Sequence, residues 1–419
     1  MLSLPLGKGR LELDLGGLPL HVLTPRAPTV AQPAGELVRA ALSNPTNGPG
    51  LTAMARGWRR VTVLVPDVTR KASLPEVLPE LLTALFEAGV PPVGVTVLVA
   101  CGTHPAAPPD ALAVLLGTLP KGVGVVQHDS RNREALVPAG TLESGLAVRF
   151  NRLIMDCDGL VAVSTVQHHY FAGFGGGPKL VFPGASGYKE IQRNHSRVLE
   201  FGPPLRRHPG CEPGRLAGNP VAEEIAAAAA LRLPDVLLAM VNGDDGRPRW
   251  AASGNPADVF AAACQTVRRW FEVEGGPFAR MVASAGGHPS DHTLIQAHKA
   301  LDAACRFLEP GGELLFFADL AGGAGSPAME VFLADPRPEA ILAKLAEDYV
   351  QYGHTALRLV EKTGRFRIGL AGSRLEDDLA RRLGFEPVGN PGLFLERWYR
   401  QDGQTPVGVL SGPPVFPRN

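Results

Sequence analysis

Four short apolar runs, each followed directly by polar residues, stand out in the N-terminal part of the chain. They cover residues 60–65, 93–100, 123–126 and 160–166 and are rich in valine and leucine. Runs of this length are typical of strands that are buried on both faces of a sheet. Amphipathic helical segments separate the first three runs, and strands joined through helices lie parallel. The pattern therefore predicts a parallel β-α-β-α-β sheet.

A capping-box spacing predicts where the first of these helices begins. Ser73 is followed three residues later by Glu76, and in a capping box each of the two side chains bonds the backbone amide of the other residue. We therefore expect Ser73 to cap a helix that ends near Gly89, because glycine commonly follows the last helical turn.

A break of glycine and proline at residues 274–277 predicts a domain boundary. After it, apolar runs and helical segments alternate again, which indicates a second α/β unit. We expect an N-terminal domain over residues 1–274 and a smaller C-terminal domain over 275–397, with a tail at 398–419 that packs back on the first domain. The predicted fold class is α/β, with two α/β domains and a cofactor cleft between them.

Length and composition are those of an ordinary globular protein. The chain has 419 residues, which favours two domains, and 45% of them are hydrophobic. Lysine plus arginine equals aspartate plus glutamate at 41 each, so no overall charge attracts nucleic acid or a membrane surface. We see no apolar stretch of about 18 residues and no signal-peptide pattern, and we expect a cytoplasmic location. The five cysteines form no CxxC pair, so neither a zinc site nor a disulfide framework is indicated.

Polar residues follow the predicted parallel strands where the strands end. Ligands of open α/β sheets bind beyond the carboxyl ends of the strands, so these side chains are expected to converge. Each of them can instead be a solvated loop residue or a helix cap. The residues are Asp67, Thr69 and Arg70 after the first strand, Thr103 and His104 after the second, and His128 and Asp129 after the third.

The segment at residues 168–196 combines dense glycine with Lys179 and three histidines. Glycine lets the backbone turn tightly and approach a ligand closely. The amine of Lys179 can meet a phosphate or act as a nucleophile, and a histidine such as His195 can move protons or bind a metal. The alternative is a glycine-rich surface loop with incidental histidines.

Gln296 and Lys299 are three residues apart on the helix predicted after Pro289, and they therefore share one helix face. The preceding glycine turn follows a strand end, which places this face in the expected cleft. A solvated lysine on an outer helix face is the alternative.

Taken together, these motifs resemble the nickel-pincer lactate racemase family, also called LarA-type proteins. The number, order and spacing of the motifs make the resemblance specific, and it extends from Gly7-Lys8-Gly9 to at least Lys299. The motifs that carry it are Asp67-Val68-Thr69-Arg70, Gly102-Thr103-His104, His128-Asp129, His169-Tyr170-Phe171-Ala172-Gly173-Phe174, Gly176 to Lys179, Pro183-Gly184, Asn194-His195, Gly286-Gly287 with Pro289 and Asp291, and Gln296 with Lys299.

The resemblance implies an isomerase that carries a nickel complex of a pyridinium mononucleotide with thioamide and thiocarboxylate arms. Cofactor-biosynthesis proteins would supply this nickel-pincer nucleotide to the N-terminal domain. The implied roles are cofactor tether for Lys179, nickel ligand for His195, paired acid and base for His104 and His169, substrate binding for Arg70, Gln296, Lys299, Phe171 and Ile295, and contacts to the cofactor's ribose and phosphate for Asp67, Thr69, Gly176, Gly177 and Gly184.

The chemistry of 2-hydroxy acids agrees with these implied roles. The α-hydrogen of such an acid is very weakly acidic, whereas loss of hydride gives a planar 2-keto acid that can take hydride back on either face. No side chain accepts a hydride, so a cofactor is needed. Two enantiomers present the hydroxyl group on opposite sides, which calls for two bases. An arginine holds a carboxylate through two parallel hydrogen bonds, and an imidazole with sulfur donors suits square-planar nickel.

Two residues depart from the family pattern. Pro178 stands before Lys179, where an arginine is common, and Ile295 precedes Gln296, where lactate-specific members tend to carry an aromatic residue. These departures leave the identity of the acid open. The expected function is racemisation of lactate or a related short 2-hydroxy acid. The alternatives are epimerisation of a longer sugar acid with the same cofactor, or a non-catalytic protein that binds nickel or a pyridine nucleotide.

Overall fold

The computed structural model describes residues 1–30 and 32–418. In chain order the strands are β1 (Leu2–Leu6), β2 (Gly9–Leu13), β3 (Leu20–Val22), β4 (Val61–Pro66), β5 (Val95–Ala100), β6 (Gly124–Gln127), β7 (Leu136–Thr141), β8 (Ala147–Asn151), β9 (Gly159–Thr165), β10 (Gln167–His169), β11 (Gly173–Gly175), β12 (Leu199–Glu200), β13 (Arg206–Arg207), β14 (Val236–Asn242), β15 (Pro248–Gly254), β16 (Glu272–Val273), β17 (Phe278–Ser284), β18 (Leu308–Phe317), β19 (Arg367–Ala371), β20 (Phe385–Val388), β21 (Val407–Leu410) and β22 (Phe416–Pro417).

Several of the helices have proline in the first turn. They are α1 (Ala34–Ser43), α2 (Leu51–Met54), α3 (Leu74–Glu87), α4 (Pro109–Leu116), α5 (Arg152–Met155), α6 (Tyr188–Ser196), α7 (Pro220–Ala230), α8 (Pro256–Phe271), α9 (Leu294–Cys305), α10 (Pro327–Leu333), α11 (Pro338–Glu347), α12 (Gln351–Arg365), α13 (Asp377–Arg382) and α14 (Pro391–Asp402). No helix in residues 1–30 and 32–418 is long and apolar enough to cross a membrane.

The chain forms two compact units. The central unit contains Ala27–Glu200 and Arg207–Arg269, and the terminal unit contains Met1–Arg26, Phe201–Arg206 and the chain from Trp270 onward. This division differs from the one expected at residue 274, because both ends of the chain belong to the same unit. The reason is strand pairing: β3 pairs with β21, and β21 pairs with β17 in the sheet of the terminal unit. The C-terminal tail, expected to pack on the first domain, supplies β21 to this sheet instead.

The central unit is built on a six-stranded sheet in the order β15-β14-β9-β4-β5-β6. All neighbours are parallel except β15, which runs antiparallel to β14. Every residue of β4 is buried, as a strand with helices on both faces requires. The predicted β-α-β-α-β order is confirmed as β4-α3-β5-α4-β6. The carboxyl ends of β9, β4, β5 and β6 therefore meet at one edge of this sheet.

The terminal unit has a second six-stranded sheet, entirely parallel, in the order β20-β19-β18-β17-β21-β3. Its core includes Val282, Leu315 and the fully buried Trp398, and the hairpin β1-β2 adds Leu4 to the same cluster. With two units of mixed helices and parallel strands, the predicted α/β class is confirmed.

A buried ion cluster holds α9 against α12 in the terminal unit. Asp302 and Arg358 are both about 1% exposed, and Oδ1 of Asp302 lies 2.7 Å from Nη2 of Arg358. Lys362 forms a second ion pair with Oδ1 of Asp302, and Arg306 approaches Oδ2 at 3.1 Å. Burial by itself raises the pKa of Asp302, but the surrounding cations, Arg358 first, hold this pKa well below its usual value. The carboxylate is therefore ionised and fixes the rotation of α9.

The expected capping box at α3 is wrong. Ser73 is the residue before α3, but its φ is +47° and its side chain makes no capping hydrogen bond. Glu76 instead accepts a hydrogen bond from the backbone amide of Ala34, 42 residues earlier, at 3.2 Å. A tertiary contact thus replaces the local one that the spacing predicted.

Candidate active site

The carboxyl edge of the central sheet brings Asp67 and His104 together. Asp67 follows β4 and His104 follows β5, and these strands pair in parallel register from Val61 with Val95 to Pro66 with Ala100. The Oδ2 atom of Asp67 lies 2.6 Å from Nδ1 of His104. The other carboxylate oxygen accepts hydrogen bonds from the hydroxyl and the amide of Thr69 at 2.6 and 3.2 Å.

Asp67 is an anion in spite of its burial. Burial raises the pKa of its carboxyl group, but the hydrogen bond and charge of His104, with smaller contributions from Thr69 and Arg70, bring this pKa below its ordinary value. The side chain of Thr69 is exposed. Both acceptor oxygens of Asp67 are therefore already engaged by neighbouring protein groups.

Two further residues of this edge take no part in the cluster. His128 is 1% exposed, and its Nε2 atom donates to the carbonyl of Ser186 at 2.8 Å while the amide of Asn151 donates to Nδ1 at 3.1 Å. Asp129 is exposed and accepts from the backbone amide of Arg131. The structural alternative therefore applies to this pair.

The glycine-rich segment begins where β9 ends, beside β4. The hairpin β10-β11 places His169 opposite Gly173, and a short 3-10 turn over Gly177–Leu180 then carries Lys179. Nζ of Lys179 lies 3.5 Å from Nε2 of His169. Pro178 occupies the first turn of the 3-10 helix, where a backbone amide needs no helical partner. The departure at residue 178 therefore fits the local backbone.

Lys179 has an amine that loses its proton easily. It is half-buried, and removal from water, followed in size by the charge of Arg70, lowers the pKa of Lys179 to about 7. Burial likewise lowers the pKa of Arg70, with Asp67 opposing the shift. In the part of the chain that the structure describes, the guanidinium of Arg70 makes neither a salt bridge nor a hydrogen bond. The amine of Lys179, with its lowered pKa, and the guanidinium of Arg70 thus influence each other without a carboxylate that pairs with either of them in the described chain.

The glycines of this segment serve close packing of the protein on itself. A Cβ atom on Gly176 would lie 2.3 Å from the carbonyl oxygen of Thr165, and one on Gly177 would lie 2.2 Å from the ring of Phe260. At Gly184 it would lie 2.1 Å from the carbonyl oxygen of Leu180. No side chain fits at these distances without a shift of the neighbouring atoms, so the close packing around Lys179 requires glycine at these three positions.

His195 lies near the end of α6 and is 4% exposed. Burial first, and then the charge of Lys179, lowers the pKa of His195 to about 3. The ring is therefore neutral at physiological pH, and its buried Nδ1 atom has no hydrogen-bond partner of normal geometry among residues 1–30 and 32–418. The buried ring of Phe171 lies 5.2 Å from the ring of His195 and 5.5 Å from Nζ of Lys179.

Sequence reasoning missed the polar network behind His195. The amide of Asn194 donates to Oε2 of Glu224 at 3.0 Å and to the carbonyl of Val221 at 3.2 Å. Oε1 of Glu224 accepts from Ser144 at 2.6 Å and from Arg197 at 3.3 Å. Glu224 is 5% exposed, so the network ties the last turn of α6 to α7. Its members are far apart in sequence, and no local pattern signals them.

In the terminal unit, α9 presents the other expected substrate residues. The side chain of Thr293 caps the helix by accepting from the amide of Gln296. Nζ of Lys299 donates to Oε1 of Gln296 at 2.7 Å, so the two side chains do share a helix face. Gln296 is exposed, and Ile295 and Lys299 are half-buried.

Comparison with known proteins shows which proteins this chain is similar to. A family model described as the lactate racemase N-terminal domain matches residues 6–202. The lactate racemase of Thermoanaerobacterium thermosaccharolyticum is 27% identical over 349 residues, covering 82% of this chain and 80% of the relative. The lactate racemase of Lactiplantibacillus plantarum is 27% identical over 301 residues, covering 72% and 69%. The chain is therefore similar to lactate racemases over most of its length, and its N-terminal region matches the N-terminal domain of that family.

Two solved structures share the fold of this chain. The lactate racemase apoprotein from T. thermosaccharolyticum matches with a TM-score of 0.88 at 24% identity, over 100% of both chains. A protein from Thermotoga maritima matches with a TM-score of 0.66 at 18% identity, over 92% of this chain and 98% of that one. The assignment from sequence motifs is confirmed, and so is the expectation of an isomerase. The matched N-terminal region includes the residues from Asp67 to His195 and excludes α9.

Proposed function

We propose that this protein racemises lactate or a related short 2-hydroxy acid by reversible hydride transfer through a 2-keto acid. The observation that carries the proposal is the convergence of five side chains in the central unit. Two of them would hold a cofactor, two would move protons, and one would bind a carboxylate. They are Lys179, His195, His104, His169 and Arg70.

The residues present fit a tethered nickel-pincer nucleotide. A metal needs a neutral imidazole with a free lone pair, and burial keeps His195 neutral. A covalent tether needs an unprotonated amine, and the pKa of Lys179, lowered to about 7, provides one near neutral pH. We therefore propose Lys179 as the tether and His195 as the nickel ligand. When bound, the cofactor supplies the electrophilic centre for hydride that no side chain offers. Cofactor-biosynthesis proteins would supply it.

Arg70 is proposed to bind the substrate carboxylate. Its side chain is half-buried, and within the described chain it has no salt bridge. Partial burial lowers its pKa, so an incoming anion would stabilise the cation, and the guanidinium can hold both carboxylate oxygens. Gln296 and Lys299, already bonded to each other on α9, are proposed to complete the binding of the acid. Ile295 and Phe171 are proposed to line the pocket.

His104 and His169 are proposed to exchange the hydroxyl proton. Each enantiomer presents its hydroxyl group in a different direction, and the two histidines come from different elements, the β5 end and the β10 strand. A positioned imidazole contributes about 100-fold to 10,000-fold to such a step. Asp67, Thr69 and the glycines 176, 177 and 184 are proposed to surround the nucleotide part of the cofactor.

The test is configurational change in single enantiomers of lactate, of longer 2-hydroxy acids and of aldonates, with enzyme loaded by co-expressed biosynthesis proteins. We expect inversion of lactate or a short homologue, and loss of about 100-fold or more in rate in His104→Gln and His169→Gln. Inversion of aldonates alone would favour the sugar-acid epimerase. A loaded protein that changes none of these acids, or that tolerates both substitutions, would be a carrier of the cofactor.

A further inference from the structure

The environment of His104 fixes the position of its ring hydrogen. Nδ1 lies 2.6 Å from the carboxylate oxygen of Asp67, and an ionised carboxylate can only accept a hydrogen bond. Nδ1 must therefore carry a hydrogen. The neutral ring then has its lone pair on Nε2, and the side chain is 34% exposed, so a ligand can reach it. In this state His104 accepts a proton.

The environment of His169 fixes the opposite arrangement. The backbone amide of Ala172 donates to Nδ1 of His169 at 3.2 Å across the turn of the hairpin β10-β11. A backbone amide can only donate, so Nδ1 holds the lone pair and the neutral ring carries its hydrogen on Nε2. In the apoprotein that atom faces the amine of Lys179 at 3.5 Å, and the lowered pKa of Lys179 provides a neutral amine that can accept from it.

We propose that the resting protein holds its two histidines in opposite tautomers, with His104 as the proton acceptor and His169 as the proton donor. The proposal deepens the racemase function and rests on it. Asp67 and the amide of Ala172 act as positioning groups: neither needs to touch the substrate, and each sets which nitrogen of a catalytic imidazole bears the hydrogen. The two imidazole rings are chemically identical, and the different hydrogen-bond partners of Nδ1 give them different roles.

The arrangement makes the two directions of the reaction differ in their first proton transfer. For the enantiomer whose hydroxyl meets His104, the O–H bond breaks and an N–H bond forms at Nε2, giving an imidazolium beside the anion of Asp67. The hydroxyl of the other enantiomer meets an N–H group. Before His169 can accept this proton at Nε2, its own hydrogen must move from Nε2 to Nδ1. That change breaks the hydrogen bond from the amide of Ala172 to Nδ1. Because the equilibrium constant of racemisation is one, kcat/KM is equal in both directions, and the difference appears in kcat and KM separately.

Nitrogen-15 NMR of the histidine rings in the full-length protein tests the tautomers without cofactor or activity. Two other histidines provide references within the same molecule. His128 accepts at Nδ1 from Asn151 and donates from Nε2, whereas His298 donates from Nδ1 to the carbonyl of Ile295 at 2.6 Å. Spectra are recorded about two pH units above the ordinary histidine pKa, and single His→Gln variants assign the signals.

We expect His104 to show the pattern of His298 and His169 to show the pattern of His128. The same tautomer at both sites, an equal mixture at either, or an imidazolium at this pH would overturn the proposal. Asp67→Asn should remove the preference of His104 for Nδ1–H, because an amide can donate as well as accept, and should leave His169 unchanged. Asp129→Asn, at the exposed end of the next strand, is the matched control and should change neither ring.

The NMR result for the tautomers can be told apart from a failure of the proposed racemase function. Opposite tautomers in a protein that inverts no acid would contradict the function alone. Identical tautomers in an active racemase would contradict only the assignment of donor and acceptor. Unchanged signals of His128 and His298 report that Asp67→Asn is folded, and an unchanged His104 signal in that folded variant would remove Asp67 from its positioning role.

Discussion

Nδ1 of His104 lies 2.6 Å from a carboxylate oxygen of Asp67, and neighbouring parallel strands hold the two residues in place. The contact matters because a carboxylate orients an imidazole and stabilises its charged form. Asp67 is 7% exposed, so the interaction is shielded from water. Besides its proposed contact with the cofactor, Asp67 is therefore placed to orient the imidazole of His104.

Asp67→Asn should lower kcat of the loaded enzyme by about tenfold to a hundredfold, the usual cost of losing the group that orients a functional imidazole. The amide keeps the volume of the side chain and removes the charge. Steady-state rates with each enantiomer measure the effect. The control Asp129→Asn removes a carboxylate at the end of β6 and should keep its rate within about twofold. Equal losses in both variants would show that the contact with His104 is not responsible.

Lys179 should react with an acylating reagent at far lower pH than the other lysines. Its pKa is about 7 because of burial and the charge of Arg70, so its neutral fraction rises steeply around that pH. Peptide mass spectrometry after brief treatment of the apoprotein at several pH values gives the midpoint. Arg70→Gln removes a nearby cation, makes the protonated amine less unfavourable, and should move the midpoint upward. A midpoint of Lys179 close to the ordinary lysine pKa of about 10.4 would contradict this explanation.

Glu224→Leu should destabilise the protein by about 3 kcal/mol, since it leaves the fully buried amide of Asn194 without its carboxylate acceptor. Asn194 and Ser144 would each lose an acceptor, and Arg197 would lose its counter-charge. Urea unfolding of the apoprotein gives the change. The neighbouring Glu223 is exposed and accepts only from the amide of Gly218 among the described residues, so Glu223→Leu should cost less than about 1 kcal/mol. Similar losses of unfolding free energy in the two variants would show that the hydrogen-bond network of Glu224 does not stabilise the protein.

Asp302→Asn should destabilise the terminal unit by about 3–5 kcal/mol, because Arg358 would remain buried without its anion. Guanidinium unfolding followed by tryptophan fluorescence measures it. The pKa of Asp302 is held far below its unfolded value, so its contribution is present above that value, about 4, and fades as the pH falls through the folded pKa. Asp378→Asn is the control, since that side chain is 94% exposed. If Asp302→Asn lowers the free energy of unfolding no more than Asp378→Asn does, the buried ion cluster does not stabilise this unit.

The sequence predicted features that depend on local order along the chain. Strands β4, β5 and β6 were predictable because buried apolar runs and their polar ends follow directly from the order of residues. The joining of Met1–Arg26 with the C-terminal half was not, because an edge strand as short as β3 carries no signal for its partner. The capping box at Ser73 failed for the same reason: Glu76 is engaged by a distant amide.

The candidate site shows the same division. Motifs gave Lys179, His195 and His169 together because they lie on one continuous segment. The pairing of Asp67 with His104 needed the register of two strands, and the network of Glu224 needed the packing of α6 on α7. His128 is polar and follows a strand, as the others do, yet its two hydrogen bonds are internal. Only coordinates separate such a residue from its neighbours.

The central claim, hydride transfer by a racemase, is tested most directly by following the hydrogen on the reacting carbon. Loaded enzyme is given one enantiomer of lactate that carries deuterium at C2, in ordinary water, and the opposite enantiomer is isolated and analysed by mass spectrometry. Hydride transfer predicts that the product keeps its deuterium, because a hydride that leaves and returns within the site does not exchange with solvent. Product that carries hydrogen from water at C2 would indicate deprotonation of the α-carbon and would contradict hydride transfer.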